Sequence, residues 1–197
     1  MSRGGRAVAH SMAWPVALVA APLIAGGAAA QQQSNGMRFD LMPVGCLIHT
    51  RYNSGDERIE VYVGKKGKTH VTKSYAGPAR ATTLTGVINT ITYDAQGRMI
   101  RKDWAGGKWE TFSPFSCFSI PGDCRYRYRN ADGQDLTYIG RVVPRGDGYV
   151  SSGGFSGQAP FNDNTFTFGP FNDIATFREG STTFKVIRYE NCGRAGS

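Results

Sequence analysis

The chain has 197 residues, 40% hydrophobic and 19% charged, with 26 Gly, 9 Pro, 4 Cys and a formal net charge of +8. That hydrophobic fraction excludes a disordered chain, and the glycines lack the triplet period of collagen. A single globular domain is the expectation.

Arg3, Arg6 and His10 precede an apolar run from Trp14 to Ile24, and Ala28-Ala29-Ala30 stands before Gln31. A charged start, an apolar middle and a small-residue cleavage site point to a secretory signal peptide over residues 1–30. The run is broken by Pro15 and Pro22 and is shorter than the roughly 20 residues of a membrane-spanning helix. Gln31-Gln32-Gln33 offers no cysteine where a lipid anchor would attach. Cleavage would leave 167 residues at net +6, expected in the periplasm or secreted, with no transmembrane span. Residues 31–40 are polar and short of apolar periodicity, and 31–45 read as a flexible leader. The domain is expected over 46–193, followed by a tail at 194–197.

From Cys46 onward, short runs rich in Val, Ile, Thr, Tyr and Phe alternate with glycine turns. The predicted strands are Cys46 to Tyr52, Arg58 to Gly64, Thr69 to Tyr75, Gly86 to Tyr93, Met99 to Trp104, Lys108 to Phe112, Arg125 to Arg129, Leu136 to Val143, Tyr149 to Phe155, Thr165 to Phe168 and Thr183 to Tyr189. No later stretch sustains helical spacing of apolar residues. The connections are too short for parallel crossovers, so the expected fold is all-β, an antiparallel meander closing into a lipocalin-like barrel or a sandwich.

Four cysteines in an oxidising compartment argue for disulfides, with three connectivities possible. Cys117 with Cys124 would close a short loop, and Cys46 with Cys192 would tie the first strand to the last. Zinc is the rival reading, because Cys46-Leu47-Ile48-His49 has the gap of some ligand pairs. The spacing of Cys117 and Cys124 does not match, and His70 is the only other histidine after residue 30. No cofactor is expected.

Tyr93-Asp94-Ala95-Gln96-Gly97-Arg98-Met99 resembles one unit of the YD repeat of bacterial RHS-type shell proteins, and Asn130-Ala131-Asp132-Gly133 is a looser echo. The resemblance implies a shared hairpin and no shared function. Ser74-Tyr75-Ala76-Gly77-Pro78-Ala79-Arg80, after a first-strand cysteine, is similar to the inhibitory loop of periplasmic C-type lysozyme inhibitors. Pro78 intervenes in that pattern and no tyrosine follows Arg80; the resemblance makes hydrolase inhibition an expectation to test.

Charge is uneven: Arg51 to Arg145 is basic, whereas Gly146 to Phe177 has no Lys or Arg. Arg125-Tyr126-Arg127-Tyr128-Arg129 on a strand would put three guanidinium groups on one face and two tyrosines on the other. Such a stripe suits phosphate or carboxylate groups, and equally suits a strand that faces water. Outside the cytoplasm the partner would be an anionic envelope glycan or lipid rather than nucleic acid. Lys65-Lys66-Gly67-Lys68 adds a basic hairpin tip.

Pro160-Phe161-Asn162-Asp163 recurs as Pro170-Phe171-Asn172-Asp173, with too few carboxylates for a calcium loop, and reads as a repeated Asx turn. Trp104 and Trp109 flank a glycine turn, and aromatics make up 12% of the chain. These residues either fill a barrel or line a cavity for a small apolar ligand. With His49 and His70 the only histidines after residue 30, no nucleophile elbow and no glutamate pair, a non-enzymatic binding protein is expected ahead of a hydrolase.

Overall fold

The structure, a computed structural model, describes residues 36–77, 84, 86–115, 121–158 and 160–193, without the side chains of 114, 115, 161 and 162. Residues 1–30 and the 194–197 tail lie outside the described residues. Twelve strands follow in chain order: β1 Leu47–Tyr52, β2 Glu57–Lys66, β3 Thr69–Ala76, β4 Val87–Tyr93, β5 Met99–Trp104, β6 Trp109–Phe115, β7 Gly122–Arg129, β8 Asp135–Arg145, β9 Gly148–Phe155, β10 Phe161–Phe168, β11 Ile174–Glu179 and β12 Thr182–Glu190. Each pairs antiparallel with its neighbour, and β12 returns to β1, from Leu47 opposite Glu190 to Tyr52 opposite Phe184. The result is a closed barrel, which leaves no sheet edge exposed.

Of the two expected architectures, barrel and sandwich, the all-β antiparallel meander takes the barrel, with one strand more than the eleven predicted. The addition is β11, whose Ile174-Ala175-Thr176-Phe177-Arg178-Glu179 contains residues that strands ordinarily disfavour. Two strong ladders hold it: Phe177 lies opposite Phe166 on β10 and opposite Phe184 on β12.

Five hairpins share one wiring. In the turns starting at Tyr52, Asp94, Trp104, Asn130 and Gly169, the first residue's N–H donates to the carbonyl four residues on and its carbonyl accepts from the residue before that. The residue in that donating position has positive φ; it is glycine in four cases and Asn172, at φ 57°, in the fifth. Asp94 Oδ1 accepts from the amides of Gln96 and Arg98, both at 2.9 Å. Asn130 Oδ1 does the same for Asp132 and Gln134, at 3.1 and 2.9 Å. The two hairpins singled out by the shell-repeat resemblance are thus the same turn.

The leader departs from expectation. From Gly36 it is packed, not free: Met37 N–H donates to Gly97 O at 2.9 Å and Arg38 N–H to Phe171 O at 2.7 Å. Phe39 and Met42 are buried in a cluster with Cys46, Ile48, Tyr62, Tyr93, Phe171 and Cys192. Phe39 stacks on His70 with ring centroids 4.6 Å apart and lies edge-on to Tyr93 at 4.9 Å. Burying one such aromatic contributes about 1.5 to 3 kcal/mol. The segment plugs the rim where β1 starts and β12 ends, and the compact core sits there. Beside it, Cys46 and Cys192 are bonded, as expected, with Cα atoms 4.4 Å apart. Cys124 is also disulfide-bonded; its expected partner Cys117 lies outside the described residues.

Candidate functional site

Twelve strands enclose a wider interior than the eight that side chains alone can fill. The inner face divides in two. Along β6 to β9 it is packed with rings: Tyr126 stacks on Tyr138 at 4.8 Å, Tyr128 on Phe155 at 5.0 Å, and Phe112 lies 5.0 Å from Tyr128. Gly140 and Gly153 face each other across β8 and β9. A Cβ on either would collide with the Tyr138 side chain, so the glycines clear the shelf on which that ring lies.

The other half, from β10 through β12 and β1 to β5, is hollow. A cavity of about 460 Å³ runs there from the plug, at Met37 and Gly97, toward Tyr52, Arg58 and Phe184 near the far rim. Ile48, Ile91, Phe166, Phe168, Phe184 and Val186 form its apolar wall. Arg58, Glu60, Ser74, Asn89, Lys102 and Asp173 supply polar groups. Tyr93 donates its hydroxyl to Glu60 Oε1 at 3.0 Å, and burial holds the Glu60 carboxyl above the ordinary carboxylate range. Tyr189 donates to Asp173 Oδ2 at 2.7 Å; burial raises this carboxyl also, with the Tyr189 hydroxyl pulling it back. Lys102 lies 3.8 Å from the Trp104 ring centroid and Arg58 5.1 Å from that of Tyr52. Burial lowers the Lys102 ammonium. Tyr128 donates to Glu110 at 3.0 Å, and burial first, then Glu110, pushes its hydroxyl up to about 12.

The sequence-predicted residues fall in several places. Arg125 and Arg127 are exposed on β7 and Arg129 is partly buried on the same outer face, with Tyr126 and Tyr128 turned inward, as alternation requires. The stripe is not purely basic. Arg129 is 3.1 Å from Asp135, which lies opposite it on β8, and at the other end of the same ladder Arg141 is 3.7 Å from Asp123. The two tryptophans do not act together. Trp104 shares the inner face with Lys102, whereas Trp109 is outside, under the guanidinium groups of Arg101 at 4.9 Å and Arg129 at 5.6 Å. Neither lines the cavity.

His49 is fully buried on the outer face, its Nε2 3.1 Å from Glu190 Oε2; burial and Arg188 lower it despite that carboxylate. His70 accepts or donates at 2.8 Å with the Tyr62 hydroxyl and belongs to the plug. The lysine tip is the β2–β3 turn. Pro170 to Asp173 is the β10–β11 turn that buries Phe171, whereas Phe161 to Asp163 lies at the start of β10; the expected repeated Asx turn is not formed, since Asp173 Oδ1 accepts from the Phe171 amide two residues before it. Ser74 faces the cavity from β3, and Pro78 to Arg80 of the inhibitor-like pattern lie outside the described residues.

Arg58, Glu60, Asn89, Lys102 and Asp173 were not legible as a site. In Arg58-Ile59-Glu60-Val61-Tyr62 the ordinary rule sends Ile59 and Val61 inward, but the barrel turns Arg58, Glu60 and Tyr62 in and leaves Ile59 buried on the outer face beside His49. The available signal was Tyr62, which shares parity with the two charges. No known protein family, curated protein or solved structure matches this chain.

Proposed function

We propose that this is an exported, non-enzymatic binding protein that carries one small, mainly apolar molecule inside its barrel. The observation that carries the reading is the 460 Å³ cavity, apolar on most of its wall with a few convergent polar groups, in the size range of single-ligand sites. Export is supported by the signal-like segment over 1–30 and by the Cys46–Cys192 bond, since such bonds persist in oxidising compartments. The outer wall suits water: Arg101, Arg127, Arg141 and Lys185 all point outward and exposed. Basic groups facing lipid at a bilayer midplane would cost about 2 to 4 kcal/mol each. The test is uptake of the neutral fluorophore N-phenyl-1-naphthylamine, with native mass spectrometry of the purified protein. Wild type is expected to bind one equivalent, and Val186→Phe, which fills the cavity, to bind at least about tenfold more weakly. A wild type that takes up no probe and carries nothing would refute the reading.

A second reading concerns the outer wall. Arg125, Arg127 and Arg129 project from one strand, with Trp109 beneath the Arg129 guanidinium. That combination suits an anionic envelope glycan or lipid, the planar fork gripping its charged groups. Replacing the three arginines by serine is expected to abolish salt-sensitive retention on lipopolysaccharide or anionic liposomes. Retention that ignores salt, or survives the substitution, would refute it.

A further inference from the structure

The polar side of the cavity is unbalanced in a particular way. Its carboxylates already have donors: the Glu60 carboxyl takes the Tyr93 hydroxyl, and that of Asp173 takes the Tyr189 hydroxyl and the Phe171 amide at 3.3 Å. Its cations have no such partners. Among the described residues neither Arg58 nor Lys102 forms an ion pair with a carboxylate; each instead rests against a ring, Tyr52 or Trp104. A guanidinium and an ammonium together carry eight N–H donors and no acceptor. Asn89, which is 2% exposed and lines the same space, has an unpartnered Oδ1.

Resting on the carrier reading, we propose that the ligand is a carboxylate amphiphile whose head is held between Arg58 and Lys102 and whose chain lies along Ile48, Phe166, Phe168 and Val186. The head supplies the acceptor oxygens that the two cations lack, and Ile48, Phe166, Phe168 and Val186 line the same cavity. Charge agrees with this assignment. Glu110 and Glu60 favour the Lys102 ammonium from a distance, Arg58 and burial oppose it, and among the described residues no carboxylate comes within ion-pair reach of either cation. A buried charge without a partner is costly, so a ligand that brings one gains affinity over a neutral analogue of equal length. The ring contacts hold both cations in place before the ligand arrives, which lowers the ordering cost of binding.

The experiment measures displacement of N-phenyl-1-naphthylamine by dodecanoate and by dodecanol, in wild type, Arg58→Gln and Lys102→Gln. Dodecanoate is expected to displace the probe at about tenfold lower concentration than dodecanol in wild type. Each variant should lose most of that preference, and an unchanged β-sheet circular dichroism spectrum and melting transition report that the barrel is intact. Equal displacement by the two compounds in wild type, or a preference that survives both substitutions, overturns the head-group assignment and leaves the carrier reading standing. Failure of both compounds, together with failure of the probe to bind, overturns both.

Discussion

Glu60 illustrates how one residue can be placed against its own preference. Its carboxyl is surrounded by the barrel wall, and burial raises it above the usual range. The unfolded chain then releases the proton first as pH rises. Stability attributable to Glu60 is complete below its unfolded pKa and is lost as pH climbs through the higher folded value. Asp173 acts in the same direction, while His49 and His70, both lowered by burial, lose stability as pH falls. Glu60→Gln keeps an acceptor for the Tyr93 hydroxyl and removes one titration. The variant is expected to melt with wild type at about pH 4 and above it at about pH 8. A gap between the two melting temperatures that stays constant across that range would refute the assignment. At this scale the sequence was partly legible. Arg125 to Arg129 alternate as read, because charge and ring agree on which side is wet, whereas Arg58 and Glu60 invert the rule because the interior is hollow and polar enough to receive them.

Among the elements, hairpins were the most legible and the leader the least. Gly55, Gly97, Gly107 and Gly133 mark four of the five like-wired turns, since each needs positive φ. The fifth uses Asn172, which is why β11 behind it went unread. Met37, Phe39 and Leu41 alternate with Arg38 and Asp40 as a strand would, but the segment runs through turns, with Leu41 exposed and Phe39 and Met42 buried, so its local pattern does not announce a plug. Their docking depends on Gly97. Its φ is +77°, and a Cβ there would collide with the Met37 carbonyl oxygen. Gly97→Ala is therefore expected to do more than strain one turn by the usual ~1 kcal/mol; it should release residues 36–44. Hydrogen exchange at the Met37 amide is the readout, with accelerated exchange expected. Protection equal to wild type would mean that the plug is held by Phe39 and Met42 alone.

For the whole molecule, closure was legible through Cys46 and Cys192, the only pair able to clasp first and last strands. Hollowness was not, because a filled barrel and an empty one want the same large apolar residues. The bond closes a separation of 146 residues, which on chain-entropy grounds stabilises the fold by about 4 to 5 kcal/mol. The β1–β12 ladder runs alongside it. The double substitution Cys46→Ala with Cys192→Ala is expected to lower the melting temperature by roughly 10 to 20 °C while leaving the β-sheet circular dichroism spectrum in place. A shift of only one or two degrees would mean that the ladder alone seals the wall.

The even strand number has a geometric consequence. A chain that goes up and down twelve times finishes at the rim where it started, so Cys46 and Cys192 lie side by side. A tag, fusion partner or surface tether joined at Gly36 or at Gly193 would grip the molecule by the same plugged rim. Immobilised copies would then stand in one orientation whichever of the two points is used, with the turns at 53–56, 105–108, 130–134 and 180–181 presented outward.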